Sequence, residues 1–142
     1  MIKIIFALML LIKISFANCI GMVKNFYGDV KVKRNNKLLP VSKGFKLQNN
    51  DLIITDSKSG VGLIFKDGST LSLGEKSIFS IKRYLFAPKD KKFDIDLKLK
   101  KGKAAFSSGK IGKLSPESLK FEVPQGIIGI RGTKFLVEVK GK

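Results

Sequence analysis

Arg131 is a lone charge set among Ile127, Ile128, Gly129, Ile130 and Gly132. A guanidinium in such company, if it turns inward, needs a carboxylate or several carbonyls, because an unpaired buried charge is very costly. Asp51 and Asp67 are the candidate partners: each stands at a polar turn beside an apolar run, Asp51 before Leu52-Ile53-Ile54 and Asp67 with Gly68 after Gly60–Lys66. Such a pair would lock the C-terminal strand in place. A ligand-binding arginine is the alternative, but small glycines rather than polar groups crowd Arg131, which favours the structural role.

Other constellations are weaker. Asp94 and Asp96 alternate along one strand face and could give two ligands to calcium, which needs several more oxygens. Lys98 and Lys100 continue that face, so a solvated charged surface is the simpler reading. The chain has no histidine and a single cysteine, Cys19. Neither a cysteine nor a serine nucleophile therefore has the usual base beside it. No carboxylate pair marks a glycosidase cleft, and neither phosphate-loop nor metal-site spacing occurs. The expectation is a non-enzymatic protein without cofactor or metal.

The formal charge of +17 favours anionic partners. Lys89, Lys91, Lys92, Lys98, Lys100, Lys101 and Lys103 form a candidate basic patch. Tyr84, Phe86 and Phe93 interleave with basic residues, as in binders of single-stranded nucleic acid. Alternation sends Phe93 inward, however, and the lysines spread over loops. Specific nucleic-acid recognition is not expected; general attraction to polyanions is.

The elements that must position these residues are strands. Short runs alternate between apolar and polar residues, with turn residues about every 8–12 positions, an all-β pattern. Val30–Lys33, Lys37–Val41, Leu52–Thr55, Gly60–Lys66, Ser69–Leu73 and Leu119–Val123 read as strands. Pro40 puts the second of these at an edge. Asp67-Gly68 predicts a tight type I′ hairpin with both residues at positive φ. Ser77–Phe86 alternates without declaring which face is apolar. Phe93, Ile95, Leu97 and Leu99 share one face of the clearest amphipathic strand, which ends at a turn predicted for Lys101-Gly102. Ser107–Ser118 reads as a loop with one helical turn after Ser115-Pro116.

The N-terminus reads as a secretory signal over residues 1–17. Lys3 precedes an apolar run, Ile4–Ile12, and Ser15-Phe16-Ala17 offers small residues for cleavage. Loss of Lys3 and Lys13 would leave 26 basic and 11 acidic residues, a formal charge of +15. An uncleaved anchor, or lipidation at Cys19 despite the poorly fitting Asn18, are the competing readings. No other membrane-spanning segment is expected.

Several blocks in order resemble the FecR-type domain. They are Gly28-Asp29-Val30, Asp51-Leu-Ile-Ile-Thr55, Ser59–Phe65, Asp67-Gly68-Ser69, Leu71–Gly74 and Gly102-Lys-Ala104. The last is Val123-Pro124, then Gly129-Ile130-Arg131-Gly132-Thr133, then Phe135 and Val137. The resemblance implies one compact antiparallel β-sandwich of jelly-roll-like character over residues 18–142. It further implies a periplasmic sensor or adaptor module that binds an envelope protein. The sequence ends soon after Phe135-x-Val137, so a stand-alone adaptor is expected. An electrostatic binder of an anionic envelope polymer such as lipopolysaccharide is the alternative partner reading.

Overall fold

The computed structural model describes residues 19–129 and 134–140. The expected signal segment lies outside these, as do Arg131, Gly132 and Thr133. Twelve strands follow in order: β1 (Gly21–Tyr27), β2 (Val30–Arg34), β3 (Lys37–Pro40), β4 (Lys46–Leu47), β5 (Leu52–Thr55), β6 (Gly60–Phe65), β7 (Thr70–Leu73), β8 (Ile78–Ala87), β9 (Lys92–Ser107), β10 (Leu119–Val123), β11 (Gly126–Ile128) and β12 (Lys134–Val139). They make an all-β single domain, as expected. Its two layers are one sheet curled into a half-barrel and continuous through β9.

The N-terminal part of β9 pairs with β8 on one side and, in parallel, with β10 on the other. Its C-terminal part pairs with β7 and β12. One half of the sheet therefore runs β3-β2-β5-β8-β9-β10-β11, and the other β4-β1-β6-β7-β9-β12. The turn predicted at Lys101-Gly102 is instead a bend inside this long strand. Ile78 faces Lys101 and Phe79 faces Leu99, which leaves Lys100 as an extra residue. Gly102 follows at φ +101, where a side chain would run into Ser77. The extra residue also changes which parity is buried: Leu97 and Leu99 before the bend, Ala104 and Phe106 after it. A bulge with a glycine is how a strand turns a corner while keeping its apolar side inward.

A second bulge explains why β8 had no legible face. The register slips between Ile81 and Arg83, so Phe79 and Ile81 are buried before it, Tyr84 and Phe86 after it. Asn49 Oδ1 accepts the Tyr84 N–H at 2.9 Å beside the slip.

The core lies inside the curl. Phe79 and Phe121 from one half meet Phe106 and Phe135 from the other. Phe121 and Phe135 pack edge to face with ring centres 5.0 Å apart, and Phe106 lies 6.0 and 5.4 Å from them. Burying each ring contributes roughly 1.5–3 kcal/mol, and each aromatic contact roughly 0.5–1.5 more.

The Asp67-Gly68 turn departs from the predicted type I′ form. Only Gly68 has positive φ, at +87. Gly68 N–H donates to Phe65 O, and Phe65 N–H to Ser69 O, the pattern of a type I turn closed by a bulge residue. Asp67 keeps ordinary backbone geometry and turns its carboxylate inward, where it serves the network described below.

Candidate functional site

Asp51 is fully buried and answered by Arg34. Arg34 Nε lies 2.8 Å from Asp51 Oδ1, and Arg34 Nη2 lies 2.7 Å from Oδ2. Gln48 N–H adds a third bond at 2.8 Å. Arg34 also donates to Lys46 O at 3.0 Å and lies over the Phe45 ring. The guanidinium thus ties β2 to the turn before β5. The Asp51 hydrogen bonds hold its pKa above the usual arginine value.

Asp67 is buried and, among the described residues, pairs with no cation. Its Oδ1 accepts from Tyr84 O–H at 2.5 Å and from Ser69 N–H at 3.1 Å; its Oδ2 accepts from Ser69 Oγ at 2.7 Å and Ile111 N–H at 3.2 Å. Four donors spread the charge. Burial, reinforced by Asp67, pushes the Tyr84 phenol far above its ordinary pKa. Through Ile111 the network pins the short helix Ile111–Leu114 where a loop was expected, while the 3-10 turn Pro116–Ser118 follows Ser115 as expected. The expected pairing of Arg131 with Asp51 or Asp67 lies outside the described residues.

Of the remaining C-terminal residues, Phe135 is a core-side contact, as above. Gly129 has no positive φ and, among the described residues, no atom within 4 Å of where a Cβ would stand. Gly129 is exposed beyond β11, where a side chain has room.

Asp94 and Asp96 lie on the outer surface of the half-barrel, but the simple solvated face is only half right. Asp94 is half-buried and pairs with Arg83 at 3.0 Å. The Asp96 side chain is 8% exposed, with Arg83 Nη2 at 3.4 Å. It is covered because β10 runs alongside β9 there, placing Lys120 opposite Asp96 and Glu122 opposite Lys98. Lys82 bridges to Glu122 at 2.8 Å. Among the described residues, Asp96 Oδ1 has no hydrogen-bond donor. Burial, then the neighbouring Glu122, raises the Asp96 pKa; Lys82, then Asp96, lowers that of Glu122. Arg83 stands between the two aspartates where a calcium ion would have to sit.

The seven lysines of the predicted patch do not converge. Lys89, Lys91 and Lys92 sit at the exposed β8–β9 connection. Lys98 and Lys100 lie on the charged outer face, Lys101 at the bend and Lys103 on the opposite half.

That opposite half carries a feature the sequence reading missed. Cross-strand neighbours Asn25, Gly62, Ser72, Ala105 and Leu136 form one row over β1, β6, β7, β9 and β12. Small side chains in the middle and larger ones at the ends make a trough of about 790 Å³. Tyr27 lies over Gly60 so closely that a Cβ there would strike its ring. Tyr27 is 64% exposed and Leu136 84%, with Phe26 also open on the β1 side. Lys103 and Glu138, opposite each other on β9 and β12, give the floor one charge of each sign. The available signal was the small residues Gly60, Gly62, Ser72, Gly74 and Ala105 at outward positions of successive strands. Among the described residues no acidic, histidine or cysteine cluster is arranged to hold a metal, and no helix is long and apolar enough to cross a membrane.

No curated protein and no solved structure shows significant similarity to the chain. The family model described as FecR protein matches residues 51–142, from the buried Asp51 through β12. With more than half its length matched, the chain belongs to the FecR family, a periplasmic, envelope-associated family of sensor-type modules not known as enzymes.

Proposed function

We propose that this chain is a non-enzymatic sensor or adaptor module of the periplasm that binds an envelope protein in the trough over β6, β7 and β9. The trough itself carries this reading. A concave floor of Gly62, Ser72 and Ala105 lies between exposed Tyr27 and Leu136, with Lys103 and Glu138 as the charges along it. Exposed aromatic and aliphatic walls around a shallow apolar floor suit a protein segment, whose main chain can approach where side chains are small. Export through residues 1–17 fits this reading, as the family is periplasmic.

Electrostatic binding of an anionic envelope polymer such as lipopolysaccharide is the second reading. It rests on the exposed Lys89, Lys91 and Lys92 and the charge of +17. Salt separates the two. The protein is immobilised, exposed to an envelope extract and washed at low and at high salt. A discrete protein retained at high salt is the expected result. Recovery of lipopolysaccharide alone, lost at high salt, would replace the trough with charge as the basis of binding.

A further inference from the structure

A strand edge is a row of unpaired N–H and C=O groups that another strand can extend. β12 pairs with β9 along one side and, among the described residues, with no strand along the other. Lys134, Leu136 and Glu138 are exposed on the trough side of this strand, while Phe135 and Val137 pack toward the core. The two charges lie symmetrically, two residues on either side of Leu136.

We propose that the β12 edge pairs with β12 of a second copy of the chain, antiparallel about a two-fold axis through Leu136. In such a pair, opposing residues share a sheet face, so each register is centred on one residue. Centred on Leu136, Lys134 stands opposite Glu138 of the second copy, and symmetry repeats the pair. Leu136 meets Leu136, and Phe135 meets Val137, so the core continues across the junction. Centred on Val137, Leu136 would face Glu138 and Lys134 would face Lys140. Centred on Phe135, Lys134 would face Leu136. Of these three registers, the Leu136 one alone sets opposite charges together and apolar groups together. It also covers the most exposed large apolar side chain among the described residues, Leu136. The two troughs then lie side by side on one continuous sheet face.

The test is sedimentation velocity of the full protein as purified from cells that express it. The buffer holds about 0.15 M salt, so that the two lysine-rich bodies do not repel at long range. The protein sediments as a dimer. Lys134→Glu and Glu138→Lys each weaken the dimer by about tenfold or more, because two attractive cross-strand pairs become repulsive. The double variant K134E/E138K dimerises again, and so does an equimolar mixture of the two single variants. Thermal melting shows each variant folded, and the mixture keeps the test informative if one variant is less stable. A monomer at the highest soluble concentration would overturn the proposal. So would a dimer unmoved by either single change, or one that the double variant and the mixture fail to restore.

Discussion

The two outer faces of the half-barrel solve the problem of exposure differently. Over β8, β9 and β10, long charged side chains answer one another: Lys82 with Glu122, and Arg83 with Asp94 and Asp96. Over β6, β7 and β9, the middle row of side chains is small, Lys103 and Glu138 add one charge of each sign, and Tyr27 and Leu136 stand open at the sides. A face whose charges are paired gains little from a partner. A face of exposed apolar walls over a bare floor gains by being covered. The same strand, β9, serves both faces, and the bend at Gly102 carries it from one to the other.

Destroying that bend breaks the comparison most completely. Gly102→Val forces a branched residue into φ +101 and drives its side chain into Ser77. The expected cost is roughly 3 kcal/mol or more, with both faces lost together in a urea melt. Melting within about 0.5 kcal/mol of wild type would mean that the bend does not depend on glycine. Arg34→Ala comes next, because it strands the buried Asp51 carboxylate. Arg34 is partly open to solvent, so about 2–3 kcal/mol is expected rather than the full penalty of a buried pair. Asp51→Asn in the same background should recover part of that loss.

A pH series sharpens the charged side of the comparison. The folded Asp96 pKa is raised above its ordinary value of 3.8, so its contribution is fully present below pH 3.8 and is lost as pH rises through the folded value. Glu122 is lowered, so its contribution is present above 4.5 and lost as pH falls through its folded value. Asp96→Asn removes the first effect. The variant should therefore gain stability relative to wild type as pH rises from 3.8, measured by urea melts in steps of pH. Parallel profiles would show that Asp96 carries no linked proton.

The smallest effect on stability belongs to Ser72→Phe. Ser72 is exposed at the middle of the trough, so an aromatic there fills empty space rather than displacing core. A change within about 0.5 kcal/mol is expected.

Most strands were legible because alternation declares a half-buried strand directly. Leu52–Thr55 and Leu119–Val123 have the predicted bounds. Legibility failed where one extra residue changed parity. The slip after Ile81 hid the face of β8, and the extra Lys100 made a continuous strand look like two with a turn between. β1 went unread because Asn25 and Gly62 realign after a register shift at Val23. Asp51 was rightly singled out as a buried charge, but its partner Arg34 lies 17 residues away across a sheet pairing that no local pattern announces. Asp67-Gly68 carried a true turn signal of the wrong type: only Gly68 takes positive φ, and the Asp67 carboxylate reaches the distant Ile111 N–H. The trough was invisible for the opposite reason. Gly60, Gly62, Ser72 and Ala105 are unremarkable singly, and only strand register makes them neighbours.

The most direct test of the binding face compares three proteins on one envelope extract at high salt: wild type, Ser72→Phe, and Lys98→Glu with Lys100→Glu. Ser72→Phe changes only the trough, and the double lysine variant only the charged face. Our account predicts that the partner protein stays with wild type and the lysine variant and is lost from Ser72→Phe. Retention by Ser72→Phe with loss from the lysine variant would contradict it and place binding on the charged face.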